Sequence, residues 1–186
     1  MKKLAMMIAL IGMIPFSYGQ TKVGDVTLPN SLTFGKHKMD LNGAGMREKF
    51  WIDLYAAGLY LTTKTSNADE VINSDQAMAV RLQIVSGMVT SEKMTDAVLE
   101  GLEKSTKGNI EPIRNELNKF LAFFEEEIKK GDVFDITYQP GRGTVAYKNG
   151  KEEGVIEGME FKKALFGIWF CPKPADDDLK EDMLGK

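Results

Sequence analysis

The sequence predicts a single domain that combines β-strands with α-helices. At 186 residues the chain is long enough to enclose one hydrophobic core. Several short apolar runs lie between turn signals, and the Asn149-Gly150 pair between two of them is a strong hairpin signal. Apolar residues at helical spacing from Ile110 to Ile128 indicate an amphipathic helix. These observations together predict a mixture of strands and helices.

Residues 1–19 have the pattern of a secretory signal peptide. Two lysines precede an apolar run from Leu4 to Ile14, and the small residues Ser17 and Gly19 occupy the positions that signal peptidase reads. The run is shorter than the roughly 18 residues of a spanning helix, which would be the alternative. No cysteine follows the run to carry a lipid. We therefore expect a domain over residues 20–186, exported to the periplasm or the extracellular space without a stable membrane anchor.

Composition argues against several classes of function. Without Lys2 and Lys3 the chain has 22 basic and 27 acidic residues, a net charge of −5, which disfavours nucleic acid as a partner. Cys171 is the single cysteine and His37 the single histidine, so neither an internal disulfide nor a transition-metal cluster is expected. The run from Asp176 to Asp178 lacks the spacing of a calcium loop. The sequence predicts no metal and no cofactor.

The first half of the domain is predicted to contain mainly strands. A glycine-rich turn in the stretch LNGAGMR is expected to deliver Arg47 to the start of a buried strand. Arg81 falls on the polar side of its strand and is expected to face solvent. The predicted strands are Val23 to Leu28, Leu32 to Leu41, Phe50 to Leu61 and Ala77 to Val85, and the predicted helices are Ala68 to Ile72 and Thr90 to Ser105.

The second half is predicted to contain a helix, three strands and two further helices. Asn109 is the expected N-cap of the amphipathic helix, which Lys129, Lys130 and Gly131 close. The predicted strands are Val133 to Tyr138, Gly143 to Lys148 and Lys151 to Ile156, followed by a helix from Met159 to about Phe170 and a final short helix through Leu184.

Three separated stretches resemble the chalcone isomerase superfamily, specifically its bacterial chalcone isomerase-like branch. They are LNGAGMR followed by LYAAGLYL, then TSEKMTDAV, and finally ALFGIWFCPKPADDDLKEDMLG, and together they span most of residues 41 to 185. The resemblance implies an α+β fold in which helices are layered on one face of a large, mainly antiparallel sheet. It also implies a ligand cleft between the sheet and the helices.

The resemblance implies a role for Arg47, but at the other catalytic positions this sequence differs from the plant enzymes. Those enzymes cyclise a chalcone by adding its phenolate oxygen to an enone, and Arg47 matches the arginine that stabilises the developing enolate. The family's threonine, tyrosine and asparagine positions hold Tyr55, Thr90 and Ala97 in this sequence, and the pocket pair falls at Ile168 and Trp169. Without the donors that orient the ketone, chalcone isomerase activity is not expected.

The remaining pattern resembles the fatty-acid-binding branch, in which an arginine and a tyrosine hold a carboxylate. We therefore expect a non-catalytic binder of a small apolar acid, such as a fatty acid, with Arg47 and Tyr55 as the anion-binding pair. If one strand runs unbroken between these residues, their even spacing places both on one face. The expected ligand-binding set is Arg47, Tyr55, Thr90, Met94, Ala97, Val98, Leu165, Ile168 and Trp169.

Three alternatives to this binding site stay open. Arg47 could pair with Asp53 or with a distant acid while Tyr55 closes the core, and the Met94 and Val98 stripe could be core rather than ligand site. Whether the chain is an enzyme is left undecided, since Arg47 could stabilise an enolate in an isomerase or intramolecular lyase, with Tyr55 as acid or base. A purely structural or interaction protein would have a filled core where the cleft is expected.

Overall fold

A computed structural model describes residues 20–186 of the chain, and the predicted signal peptide lies outside the described residues. Seven strands in consecutive order form one antiparallel sheet, and a separate two-stranded hairpin precedes it. The described strands are β1 (Gln20–Val23), β2 (Val26–Pro29), β3 (Ser31–Phe34), β4 (His37–Lys49), β5 (Ile52–Leu61), β6 (Met78–Ile84), β7 (Val133–Gln139), β8 (Gly143–Lys148) and β9 (Lys151–Ile156).

All five α-helices of the described chain contribute to one core on the same face of the sheet. The opposite face carries two smaller apolar clusters, one under the β1–β2 hairpin and one beside β3 and β4. The predicted α+β class, with helices layered on one face of a mainly antiparallel sheet, is therefore confirmed. The helices are α1 (Ala68–Asn73), α2 (Ser91–Ser105), α3 (Arg114–Leu121), α4 (Met159–Phe170) and α5 (Asp177–Met183).

The alternating apolar residues of the central strands explain why one face of the sheet is buried by helices. On β6, Val80, Leu82 and Ile84 join the main core, whereas Arg81 points to the opposite face. The predicted Asn149-Gly150 turn joins β8 to β9, with φ angles of 53° and 81°. That turn confirms the hairpin prediction, because both residues adopt the left-handed conformation that asparagine and glycine tolerate.

The two strands predicted at the start of the domain are in fact two hairpins. Gly24 and Gly35 reverse the chain at φ angles of 56° and 57°, so β1 and β2 replace the first predicted strand, and β3 and β4 replace the second. Glycine reaches positive φ without steric cost, which allows these short connections inside apolar runs. The error came from treating each apolar run as uninterrupted.

The stretch LNGAGMR is part of β4 rather than a turn. Its glycines are needed because α5 crosses directly over the strand. A Cβ atom on Gly43 would lie 2.1 Å from the carbonyl oxygen of Asp182, and one on Gly45 would lie 2.3 Å from Oδ2 of that residue. Glycine inside a strand often marks such a close approach. The turn lies further along, at Phe50 and Trp51.

The long amphipathic helix predicted from Asn109 to Lys130 is interrupted. It consists of a 3-10 turn at Glu111–Ile113, then α3, then a second 3-10 turn at Ala122–Phe124. The chain leaves the helix where Phe124 packs against Phe134, with ring centroids 5.6 Å apart. The hydroxyl of Ser91 donates a hydrogen bond to the Phe124 carbonyl, so that carbonyl is satisfied without further helix.

A buried lysine fixes the start of α4 against α1. Nζ of Lys162 donates hydrogen bonds of 2.8, 2.8 and 2.9 Å to the carbonyls of Val71, Ile72 and Ser74, at the C-terminal end of α1. Helix C-termini attract cations because their last carbonyls carry partial negative charge. Burial lowers the pKa of Lys162 to about 8. This contact holds α4, and therefore Trp169 at its other end, in place.

Candidate functional site

Arg47 and Tyr55 lie directly opposite each other on neighbouring strands. β4 and β5 form a hairpin, and the antiparallel register pairs Arg47 with Tyr55. The condition of one unbroken strand between them is not met, because the chain reverses at Phe50 and Trp51. Directly opposed residues project to the same face of a sheet. The two side chains therefore share the helix-covered face because they are opposed across two strands, and not because of their even spacing along one strand.

The Arg47 guanidinium contacts a carboxylate from the far end of the chain. Nη1 donates to Oδ2 of Asp176 at 2.8 Å and also to the Glu48 carbonyl. The side chains of Arg47 and Asp176 are only 16% and 13% exposed. Oδ1 of Asp176 accepts a hydrogen bond of 3.0 Å from the Leu179 amide and caps the start of α5. Of the open alternatives, the structure shows the pairing of Arg47 with a distant acid, and it also places the Met94 and Val98 stripe in the core.

This pairing occupies only part of the guanidinium. Within residues 20–186, Nη1 makes the bonds to Asp176 and Glu48, and the guanidinium also lies against the Tyr55 hydroxyl, whose pKa it acts to lower. A guanidinium has five N–H donors in a fixed planar arrangement, and the pair Nε and Nη2 fits the two oxygens of a carboxylate. Arg47 therefore keeps the donors that a second carboxylate requires.

Tyr55 provides a neutral hydroxyl beside this arginine. Its oxygen accepts a long hydrogen bond, 3.4 Å, from Nε1 of Trp169. Burial raises the pKa of Tyr55 and outweighs the opposing influence of Trp169 and Arg47. The phenol is therefore protonated at physiological pH and can donate a hydrogen bond to an anion that Arg47 binds.

The apolar members of the expected set lie together in the main core. Ile168 packs on Gly101 of α2, where an added Cβ would lie 2.8 Å from Cγ2 of Ile168. Tyr55 is partly buried and packs against the margin of the same cluster. The buried members are Met94 and Val98 of α2 and Leu165, Ile168 and Trp169 of α4.

Two expected residues lie apart from this cluster. Thr90 is exposed and serves as the N-cap of α2, where its hydroxyl accepts a hydrogen bond of 3.3 Å from the Lys93 amide. Ala97 is exposed on the outer side of the same helix. The positions that match the tyrosine and asparagine of the plant enzymes are therefore not brought together with Arg47 and the apolar residues.

The best-formed cavities of the described chain are elsewhere. One, of about 110 Å³, lies between β5, β6 and α1 and includes Thr63, Glu70 and Gln76. The other is an open depression of about 440 Å³ among charged residues, including Lys129, Lys148 and Glu153. None of the nine expected ligand-binding residues lines either one. The apolar side chains beside Tyr55 are buried against one another, as expected for the alternative of a structural or interaction protein.

Sequence reasoning missed a second arginine pair on the opposite face. Arg81 was expected to face solvent, but Nε and Nη2 donate to the two oxygens of Asp135 at 2.7 and 2.9 Å. Burial opposes the charge on Arg81, and the hydrogen bonds to Asp135 nevertheless raise its pKa. The signal that was available is Asp135 itself, an acid between the apolar residues Phe134 and Ile136 of β7.

Comparison with known proteins gives relatives for this fold. The Chalcone isomerase-like family matches residues 20–185. Fatty-acid-binding protein 1 of Arabidopsis thaliana is 24% identical over 173 residues, which cover 77% of this chain and 62% of that protein. The chain thus spans less than two thirds of the length of this curated relative.

A solved structure shows the same architecture. The crystal structure of an Arabidopsis thaliana fatty-acid binding protein aligns with a TM-score of 0.69 at 21% identity, covering 86% of this chain and 92% of that chain. In residues 20–186, no helix combines the length and the apolar character needed to cross a bilayer. From the family match over nearly the whole described chain and the shared fold, the chain belongs to the chalcone isomerase-like family.

Proposed function

We propose that the protein is an exported, non-catalytic binder of a small apolar carboxylate such as a fatty acid. The observation that carries the proposal is the Arg47 and Tyr55 pair at the margin of the apolar core. Within the described residues Arg47 contacts a single carboxylate oxygen, through Nη1, and Tyr55 is a neutral hydroxyl beside it. A carboxylate headgroup supplies the acceptors that both residues can bind.

The same molecule shows how an arginine of this sheet holds a carboxylate. Arg81 binds both oxygens of Asp135 through Nε and Nη2, at 2.7 and 2.9 Å. We propose the equivalent two-bond geometry between a ligand carboxylate and Arg47. In a partly dry site such charge-assisted hydrogen bonds are about twice as strong as neutral ones.

The ligand tail would enter the cluster between the sheet and helices α2 and α4. Entry requires the bond of 3.4 Å between Trp169 and Tyr55 to open, and that length indicates a weak bond. Met94 has a flexible, unbranched side chain that adapts its shape at low cost. Trp169, Leu165, Met94 and Val98 would then line the tail, while Ile168 stays packed on Gly101.

The relatives support a lipid ligand. The curated relative and the solved structure both carry names that describe fatty-acid binding. The identity is low and the chain spans only 62% of the curated relative, so the transfer of this activity is part of our proposal.

The isomerase alternative is not favoured. A cyclase needs donors that orient the substrate ketone next to the arginine. Thr90 is exposed and already caps α2, and Ala97 is exposed and has no polar group. A screen of chalcones and other enones from pH 6 to 9 should show no turnover; turnover that disappears in Arg47→Gln would reinstate the enzyme.

Native mass spectrometry tests the binding proposal directly. Residues 20–186, which contain the whole described sheet and core, are purified, exposed to a lipid extract and analysed for bound species. We expect fatty acids on the wild type and none on Arg47→Ala. Arg142→Ala is the matched control, because Arg142 is an exposed arginine that pairs with the surface residue Glu152.

Two outcomes of that experiment would overturn the proposal. One is a wild-type protein that stays empty, and the other is equal fatty-acid occupancy in the wild type and Arg47→Ala. Export is tested separately by cell fractionation: expression with residues 1–19 should deliver a chain that begins at Gln20 outside the cytoplasm. Retention of the uncleaved chain in the cytoplasm would contradict export without affecting the binding proposal.

A further inference from the structure

The tip of the β4–β5 hairpin exposes three consecutive apolar residues. The side chains of Phe50, Trp51 and Ile52 are 78%, 92% and 37% exposed. Large aromatic residues normally bury their rings, and soluble proteins rarely expose several together unless they contact something. We call Lys49 to Ile52 the hairpin tip.

The backbone of the hairpin tip is strained for these residues. Phe50 and Trp51 have φ angles of 53° and 60°, in the left-handed region that bulky side chains seldom adopt. The β8–β9 turn of the same sheet has nearly the same conformation, with φ of 53° and 81°, and uses Asn149 and Gly150. Asparagine-glycine is the pair that this turn favours. Neither turn formation nor core packing therefore explains the aromatic pair.

Shape and charge indicate a lipid surface as the partner. A two-residue turn presents a narrow projection, which suits insertion between lipid headgroups better than the broad area that a stable protein interface needs. Tryptophan and other aromatic residues favour the membrane–water interface. Close to the tip, exposed Lys49 is accompanied by Glu48 and Asp53, and Arg47 is already paired with Asp176, so the local charge is small and without basic excess, which suits zwitterionic headgroups.

Lys49 adds a second feature suited to that boundary. Its ammonium lies 5.8 Å from the centroid of the Phe50 ring, and the residue is exposed. A lysine beside an inserted aromatic ring keeps its charge at headgroup level while its stem lies along apolar surface.

We propose that the hairpin tip docks in the headgroup region of a zwitterionic phospholipid bilayer. Docking itself does not depend on a bound ligand. Its purpose rests on the proposed function, because Arg47 and Tyr55 form the third residue pair from the turn of the same hairpin. A docked tip would place this pair against the surface in which free fatty acids partition.

Flotation with phosphatidylcholine vesicles tests the docking. Wild-type residues 20–186 should float with the vesicles, and the emission of exposed Trp51 should shift to shorter wavelength. The double variant Phe50→Asn/Trp51→Gly should lose at least about tenfold in vesicle affinity, because it removes both rings. This variant should fold at least as well as the wild type, since Asn-Gly suits the turn conformation.

Control measurements separate docking from other causes. Val155→Thr, on an exposed apolar residue of β9, should float like the wild type. Binding should change little between low and high salt, because the local charge at the tip is small. Binding that requires anionic lipid and disappears in salt would overturn the proposal, as would equal binding by the double variant.

The remaining outcomes distinguish this proposal from the binding proposal. A wild type that ignores vesicles but self-associates through the tip would identify a second copy as the partner and overturn lipid docking. Fatty-acid binding measured without vesicles reports on the proposed ligand site and not on docking. If the wild type binds fatty acid but not vesicles, only the docking is rejected. If it binds vesicles but not fatty acid, only the proposed function is rejected.

Discussion

Arg81 and Arg47 each pair with an aspartate on opposite faces of one sheet, and the two pairs differ in how much of the guanidinium they occupy. Arg81 uses Nε and Nη2 for two hydrogen bonds to Asp135, its opposed neighbour on β7. Arg47 uses Nη1 alone to contact one oxygen of Asp176, 129 positions away. The side chain of Asp135 is 2% exposed and that of Asp176 is 13% exposed.

This difference in hydrogen bonding indicates that the Arg81 pair contributes to folding, whereas the Arg47 pair is suited to ligand binding. When sheet register supplies the partner, both carboxylate oxygens align with Nε and Nη2, and two hydrogen bonds hold the buried pair together. Asp176 comes from the α4–α5 connection and uses its other oxygen to cap a helix, so it satisfies only one nitrogen of Arg47. We expect the Arg81 pair to matter for stability and the Arg47 pair to matter for ligand binding.

The largest effect should come from Arg81→Met. It leaves the Asp135 carboxylate buried without a partner, and removing one member of such a pair typically lowers the free energy of unfolding by roughly 3–5 kcal/mol. Urea denaturation measures this loss. The double variant Arg81→Met/Asp135→Asn should recover part of it. A loss below about 1 kcal/mol would show that the two arginine sites do not differ as we infer.

Arg47→Met should have the opposite profile. Binding of dodecanoate should weaken about 10- to 100-fold, because two charge-assisted hydrogen bonds are lost. The free energy of unfolding should fall less than in Arg81→Met, because Asp176 keeps its hydrogen bond to the Leu179 amide and is 13% exposed, whereas Asp135 is 2% exposed. Titration calorimetry and urea denaturation measure the two quantities. Arg47→Lys should fall between the wild type and Arg47→Met, since lysine keeps the charge without the planar donor pair.

Tyr55→Phe should weaken dodecanoate binding less, by about three- to tenfold, which corresponds to one hydrogen bond. Because burial raises the pKa of Tyr55, its hydroxyl stays protonated through pH 9. The ligand carboxylate is ionised above about pH 5, so wild-type affinity should be constant from pH 6 to 9. A fall in affinity across this range would mean that Tyr55 loses its proton and that its role as a donor is wrong.

The smallest effect, and the only gain, is expected from Asp176→Asn. Asparagine can still cap α5 through its side-chain oxygen, but it removes the charge that competes with the ligand for Arg47. Dodecanoate affinity should rise about two- to fivefold by titration. Unchanged or weaker binding, with α5 intact by amide hydrogen exchange, would show that Asp176 is not a competitor.

Local signals predicted much of the fold. The Asn149-Gly150 turn, the three strands from Val133 to Ile156 and the helix that starts after Thr90 all follow from residue types within a few positions. The turn at Phe50 and Trp51 was missed because aromatic residues do not signal a turn. The interruption of the predicted helix near Phe124 was missed because it depends on packing against Phe134.

The candidate site was predictable only in part. Family resemblance directed attention to Arg47 and Tyr55, but periodicity placed them on one strand, and only the register shows that they are opposed neighbours. Asp176 was considered only as part of an acidic run without the spacing of a calcium loop, since no spacing rule links it to Arg47. Arg81 alternates as a polar residue should, and its buried partner becomes visible only when β6 and β7 are paired.

The close crossing of α5 over β4 has a consequence for how this protein can vary and be engineered. Even a methyl group at Gly43 or Gly45 would collide with Asp182. The position of α5 therefore restricts these two positions of β4 to glycine. A truncation that removes Asp176 and α5 would end this steric restriction, and it would also remove the carboxylate that pairs with Arg47. Fusion partners and affinity tags are therefore better attached at the amino-terminal end of the domain.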